Sequence, residues 1–292
     1  MLGKARHRNR DLFREIAQET LRIFEAGHYR NDQGELVSVR ELAENAVSGS
    51  VHYGKDHVFR VTKGGEYNTE TFVCNLSTLK AGQAMKEMMG HDGTVTVLNF
   101  ASAKRPGGGF RKGANAQEES LARTSCLYSC LEQFLQRGNM YDVNKHCDLL
   151  YTDCAIFSPD IPFIRTCDPI WSTFSSPLRL SVITIPAPNA GAFLEKTKKT
   201  KQDLKKVDIA LRKRIERMLN IAKENRCANL VLGAFGCGVF QNSSRDVANI
   251  FKDLLDGKFK GVFKTVCFAI TTRSSEESTK IYSPFCELFG QR

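Results

Sequence analysis

Two stretches of the sequence combine residue types suited to chemistry on a phosphate-bearing ligand. The first holds Gly107, Gly108 and Gly109 in succession and, seven residues later, Gln117, Glu118 and Glu119. Glycines without side chains let backbone N–H groups approach a bulky anion closely, and a pyrophosphate is the natural ligand. The plain alternative is a mobile turn. The loop is not a Walker A loop, because Lys112 is followed by Gly113 and not by Ser or Thr. Paired carboxylates at a helix start also have an ordinary reading, since acids favour the positive end of the helix dipole. Beside a glycine loop they would instead face whatever the loop holds.

The second stretch is Gly236-Cys237-Gly238-Val239-Phe240. It resembles the start of a dinucleotide fingerprint, but position 241 is Gln and no acid follows at the required spacing, which disfavours a nicotinamide-binding fold. Two glycine loops could clamp one diphosphate, with Phe240 packed on a sugar or base; the alternative for Phe240 is an ordinary core residue.

The elements that must position these loops alternate along the chain. Apolar spacing predicts an amphipathic helix over 9–26, with Leu12, Phe13, Ile16, Leu21, Ile23 and Phe24 on roughly one face, then a short hairpin and a short helix at 39–47. Strands are expected at 70–77, 94–101, 155–164, 180–188, 229–236 and 263–270. Helices are expected at 79–90, 117–136, 208–226 and 244–257. Strands alternating with helices predict an α/β sheet covered on both faces. Both glycine loops follow a strand and lead to a helix, the place where ligands sit in such sheets. Residues 1–60 read as an N-terminal helical extension packed on a core of 61–292.

Composition narrows the class. Of 292 residues, 41% are hydrophobic and 25% charged, which excludes a collagen-like or wholly disordered chain. Lys and Arg number 42 against 32 Asp and Glu, a net charge of +10 that suits a polyanion: nucleic acid, an anionic membrane, or a phosphate-rich metabolite or polymer. Six lysines cluster in 195–206, read as a solvated loop before a helix, with a polyanion-steering patch or a nuclear localisation signal as the functional alternatives. None of the ten cysteines forms a C-x-x-C pair, so no zinc site is expected, and buried, reduced thiols point to an intracellular protein. No signal core or membrane-length apolar run is present.

The form GGG, seven residues, QEE resembles the signature of the poly(ADP-ribose) glycohydrolases, whose catalytic domain is a macrodomain. LNFASAKRPGGGF at 98–110, PAPNAGAF at 186–193 and LGAFGCGVFQN at 232–242 are similar to the microbial-type branch. The resemblance implies a three-layer α/β/α macrodomain with a mixed central sheet. It implies cleavage of ribose–ribose O-glycosidic bonds with release of ADP-ribose. Glu119 would be the general acid, protonating the leaving 2′-oxygen and then activating water, and Glu118 would hold ribose hydroxyls. Asn99 and Gln117 would position loop and substrate. Gly107, Gly108, Gly109, Gly236, Cys237, Gly238, Val239 and Phe240 would enclose the diphosphate, and Asn189 would be a pocket-wall residue. Adjacent glutamates cannot flank a bond as the paired carboxylates of most glycosidases do, so the chemistry would use one acid.

The implied partners are poly(ADP-ribose) or ADP-ribosylated macromolecules, with no cofactor, metal or membrane. A monomer in the cytoplasm or nucleus is expected. The competing readings are a hydrolase of single ADP-ribose groups on protein or nucleic acid, and a non-catalytic ADP-ribose-binding macrodomain.

Overall fold

In the computed structural model, which describes residues 2–60, 65–90, 93–167, 170–272 and 274–290, the apolar runs form the middle of one mixed sheet. The chain opens with helix α1 (Leu2–Ala26), a small hairpin of β1 (His28–Arg30) and β2 (Leu36–Ser38), α2 (Arg40–Ser48) and β3 (Val51–Tyr53). There follow β4 (Glu70–Cys74), α3 (Thr78–Met89), β5 (Thr96–Phe100), α4 (Gln117–Thr124), α5 (Leu127–Glu132), α6 (Met140–Val143) and β6 (Ala155–Arg165). The last part holds β7 (Thr173–Ile185), α7 (Ala190–Lys196), α8 (Lys201–Glu224), β8 (Asn229–Leu232), α9 (Ser244–Asp256), β9 (Thr265–Ala269) and a terminal helix, Ser283–Phe289.

The main sheet has the order β3-β6-β7-β5-β8-β9-β4. The five strands from β7 to β4 run parallel, whereas β6 is antiparallel to β7 and β3 antiparallel to β6. Alternate residues serve opposite faces, as a period of two requires. Leu98, Ile183, Leu230 and Phe268 pack under α8, α9 and the terminal helix. Val97, Val182, Val231 and Cys267 pack under α3 and α5. Both faces are therefore covered, giving the α/β/α layering expected.

Several boundaries differ from the sequence reading. The helix expected over 117–136 breaks at Ser125, which is extended (φ −151°, ψ 176°) and bridges to Phe163 of β6. The lysine-rich stretch is a loop only at 197–200, and α8 begins at Lys201 with Thr200 and Asp203 capping each other reciprocally. Residues 51–53 fall inside the expected extension, yet β3 is an edge strand of the main sheet, so the sheet crosses a division at residue 60. In α1 the buried face is Phe13, Ile16, Ala17 and Thr20, while Leu12 is 43% exposed.

Candidate active site

Strand β5 pairs with β7 along its full length but with β8 only through Thr96 and Val97. Beyond Val97 the edge facing β8 opens. Ala101 donates to Ile185 on the β7 side, so Leu98 C=O and Phe100 N–H, out of phase with it, face the opening. The Gln117 side chain fills the vacancy like a piece of strand. Its amide donates to Leu98 O at 2.6 Å and to Thr78 Oγ1 at 3.1 Å, and its oxygen accepts from Phe100 N–H at 2.8 Å. Gln117 thus anchors the first turn of α4, and with it Glu118 and Glu119, to the end of β5.

The two glutamates are treated differently. Glu118 is buried; it accepts from Ser102 N–H at 2.7 Å, and Asn99 Nδ2 lies 3.4 Å from its other oxygen. Burial pushes its carboxyl up to about 8, the Ser102 hydrogen bond opposes this, and the charge of Glu119 adds to it. Glu119 is half-buried, and its carboxylate accepts from Gly109 N–H at 2.9 Å and from Ala116 N–H at 3.1 Å. The second bond is the return half of a capping box; Ala116 has no side-chain oxygen to supply the first half.

The glycine loop folds onto these carboxyls. Gly107 and Gly108 have φ of +65° and +58°. A Cβ on Gly108 would stand 2.4 Å from Glu119 Oε1 and 3.0 Å from Glu118 Oε2. Gly108 N–H donates to Arg105 O and Gly109 N–H to Glu119, and the Gly107 N–H faces Glu118. The protein's own groups, Glu118, Glu119 and the Arg105 carbonyl, thus meet the N–H groups that the three glycines were expected to offer to a diphosphate.

The second loop is open where the first is filled. Gly236 (φ +73°) lies against Ala187 and Asn242, and Asn242 donates to Pro188 O at 2.9 Å and Gly236 O at 3.1 Å, closing the base of the loop. Beyond it, the N–H groups of Gly238, Val239 and Phe240 have no protein acceptor among the described residues. Val239 is 86% exposed, and nothing lies within 4 Å of a Cβ placed on Gly238. Phe240 is half-buried, with its ring 6.0 Å from that of Tyr151. Burial raises the Cys237 thiol to about 12, which makes it a packing group and not a nucleophile. The loops meet at their bases through Phe100 and Phe235, 6.1 Å apart and edge to face.

Asn99 is fully buried, and its side-chain amide donates to Glu118 Oε1 at 3.4 Å and Thr184 Oγ1 at 3.2 Å, which serves the positioning of the loop expected of it. The Asn189 side chain caps α7, accepting from Ala192 N–H at 3.2 Å.

Other supports carry little signal in the sequence. The α1 backbone crosses the glycine loop at Gly113, where a Cβ would stand 2.1 Å from Arg10 O, and Arg10 donates to Lys112 O at 3.0 Å. Arg123, fully buried under Phe13 of α1, holds Ala114 O and Asn115 Oδ1, each at 2.5 Å. Arg214, also fully buried, joins Asp153, Leu150 O and Tyr151 O to Pro186 O, and so fixes the platform on which Phe240 leans. Arginines in helical stretches read as solvated, and nothing local marks these two as buried.

No cluster of His, Cys, Asp or Glu able to hold a metal occurs among the described residues, and no described helix is long and apolar enough to cross a membrane. Two recesses of about 490 and 530 Å³ include no residue of either glycine loop. The site is identified by its carboxyls and open N–H groups, because depth alone has no chemistry.

Residues 17–166 match the family described as microbial-type PARG, catalytic domain. The chain is 33% identical to poly(ADP-ribose) glycohydrolase from Thermomonospora curvata, with a TM-score of 0.83 over 96% of this chain and 100% of that one. The same enzyme bound to the inhibitor ADP-HPD gives 32% identity and a TM-score of 0.81, covering 95% and 99%. The poly(ADP-ribose) glycohydrolase from Deinococcus radiodurans in complex with ADP-ribose gives 34% identity and a TM-score of 0.74, covering 86% and 98%. No curated protein matches the sequence significantly.

Proposed function

The chain belongs to the microbial-type poly(ADP-ribose) glycohydrolase family, and from that premise we propose how its two loops divide the reaction. It is a glycoside hydrolase that cleaves the ribose–ribose O-glycosidic bonds of poly(ADP-ribose) and releases ADP-ribose. Glu119 is the acid. It gives its proton to the leaving 2′-oxygen as the glycosidic bond breaks and the ribose takes on oxocarbenium character. The carboxylate then accepts a proton from the water that adds to the anomeric carbon. The Gly109 and Ala116 N–H groups hold the carboxylate in one place before and after the transfer.

Glu118 sits behind it and offers a ribose hydroxyl no more than the edge of a nearly covered carboxyl. The N–H groups at 238–240 receive the diphosphate, and Phe240, backed by Tyr151, buttresses the reacting ribose. The observation that carries this reading is the contrast in the N–H groups: those of the first loop are taken by Glu118, Glu119 and the Arg105 carbonyl, while those of 238–240 have no acceptor among the described residues.

The test is incubation with purified poly(ADP-ribose) and, separately, with mono-ADP-ribosylated protein, followed by product analysis. Release of free ADP-ribose from polymer at a much higher rate is expected. Turnover of the single modification alone would overturn the polymer assignment. The ten cysteines are unpaired, which supports a reducing intracellular compartment, cytoplasmic or nuclear. A monomer is expected, and light scattering on the eluting protein checks it.

A further inference from the structure

Helix α8 carries a stripe of polar residues away from the core. Lys213, Glu216, Arg217, Asn220 and Lys223 recur at steps of three and four, and so lie along one side of the helix. With Phe59, Arg60, Asp153 and Lys258 they line the recess of about 490 Å³. Leaving aside Lys223, which has a partner of its own, four cations face two carboxylates. Both carboxylates already have cationic partners: Asp153 is held by Arg214 at 3.0 Å, from outside the recess, and Glu216 by Lys258 at 2.5 Å. The recess keeps an excess of positive charge.

Arg217 is the cation set deepest. It is only 8% exposed, donates to Gly54 O, and lies 5.2 Å over the ring of Phe59. Its Nε has no hydrogen-bond partner. Asp153 and Asp56 are near enough to act on Arg217, but neither is hydrogen-bonded to it among the described residues, so a buried guanidinium with an unmet donor is placed to receive an anion, and phosphate oxygens suit its fork.

One wall of the recess, Phe59, Arg60 and Asp153, adjoins the edge of the sheet from which the glycine loops leave, while Lys223 and Lys258 lie toward the opposite edge, where β8 and β9 begin. Phe100 pairs with Ile185, Thr184 with Ile156, and Ala155 with Tyr53, so the end of β3 and the residues before β6 lie at the same edge of the sheet as the end of β5. Three strand spacings separate β5 from β3, roughly 14 Å across the sheet. A polymer with a diphosphate in every repeating unit can place one unit at the loops and present a later diphosphate here.

We propose that the α8 recess is a second anion site, which holds a diphosphate of poly(ADP-ribose) remote from the bond being cut. The proposal rests on the reading of the enzyme as one that acts on this polymer. The mixture of acids and bases and the enclosure by four separate segments favour a single diphosphate over a nucleic-acid strand, which needs an extended, uniformly basic track.

The test uses the double variant Arg60→Ala, Lys213→Ala. Both residues are exposed on the rim of the recess and neither belongs to the catalytic loops. With long polymer at low salt, KM should rise about three- to tenfold and kcat should stay unchanged, with the difference fading at high salt. With the shortest cleavable oligomer, both constants should match those of the native protein. Equal KM values on long polymer would overturn the proposal, as would an equal rise on the short oligomer. Single-stranded nucleic acid that binds the native protein tightly, and loses that binding in the variant, would reassign the recess to another polyanion.

A binding measurement keeps the question open to decision whatever the activity. With the loops saturated by ADP-ribose, inorganic pyrophosphate should bind the native full-length protein and bind the double variant markedly less. Absence of pyrophosphate binding to the native protein would remove the site even if polymer is cleaved. A native protein that cleaves no polymer but binds pyrophosphate at the recess would fail as a glycohydrolase and leave the anion site standing.

Discussion

The two glycine loops leave adjacent strands at one edge of the sheet, and they have opposite internal economies of hydrogen bonding. The loop after β5 is self-contained: its N–H groups meet Glu118, Glu119 and its own carbonyls, and α1 and Arg123 press it from outside. The loop after β8 is closed only at its base by Asn242 and leaves three N–H groups and Val239 to solvent. A catalytic carboxyl must be held to a fraction of an ångström, whereas a diphosphate cradle must be empty until the ligand arrives. On the proposed reading, similar glycine-rich strings serve different ends, and the difference lies in whether the protein itself supplies the groups that fill them.

The sharpest way to break this comparison is to remove the acid from the filled loop. Glu119→Gln should lower hydrolysis by a factor on the order of 10² or more while leaving ADP-ribose binding nearly intact. Turnover near the native rate would take the acid role away from Glu119.

In the open loop the corresponding change is Phe240→Ala. A ribose displaced by ~1 Å can cost about 10²-fold in rate, so kcat should fall by up to that amount while ADP-ribose affinity falls less. An unchanged kcat in a folded variant would return Phe240 to the status of a core residue packed on Tyr151.

A matched glycine pair sharpens the comparison further. Gly108→Ala puts a Cβ against both carboxyls at a left-handed φ, and it should cost about 1–3 kcal/mol of stability together with most of the activity. Gly238→Ala meets open space. It should fold like the native chain and weaken only ADP-ribose binding. Denaturant titration of the two proteins separates them; equal destabilisation would mean that the loops are not built differently.

Much of this was legible because it is local. The apolar runs at β5, β7 and β8 and the spacing of GGG to QEE need no long-range information, and they located both loops at strand ends. What the sequence hid depends on residues far apart in the chain. Nothing near Gly113 says that Arg10 lies against it, and nothing in α8 says that Arg214 is buried against residues 150–153. The break at Ser125 has no proline or glycine to announce it; a bridge to Phe163 imposes it. Strand β3 has three residues, too few for a period to be seen. The N–H groups of Gly107–Gly109 are a similar case, since the string shows the donors but not the carboxyls that turn back to meet them.

A smaller effect concerns the buried carboxyl. Burial holds the proton on Glu118 in the folded state up to about 8, whereas in the unfolded chain the carboxyl ionises near its ordinary value of 4.5. Between those values the folded state binds more protons, so stability should fall as pH rises across that window and level off on either side. Glu118→Gln should remove that slope, gaining about 1 kcal/mol or more relative to the native protein between pH 5 and pH 8. Thermal denaturation at four pH values in this range checks it; parallel curves for the two proteins would mean that burial does not hold the proton on Glu118.

The smallest expected effect lies outside both loops. Lys196, Lys198, Lys199, Lys201, Lys205 and Lys206 surround the start of α8, with Lys198 and Lys199 at φ of +54° and +55° and only Lys206 paired among them, to Asp203 at 3.5 Å. Thr200 and Asp203 hold the helix start, so neutralising the lysines leaves the cap intact. Exposed charges act on a ligand mainly within a Debye length, about 8 Å at 0.15 M salt, and each contributes little. If they steer a long polyanion toward the open loop, replacing them by Gln should raise KM for long polymer about two- to threefold at low salt and leave short oligomers unaffected. The difference should vanish at high salt, because steering is a screened, long-range effect and not a contact. Equal kinetics on long polymer at low salt would make this segment a solvated connection between α7 and α8, and would confine recognition of the polymer to the rim of the sheet and the α8 recess.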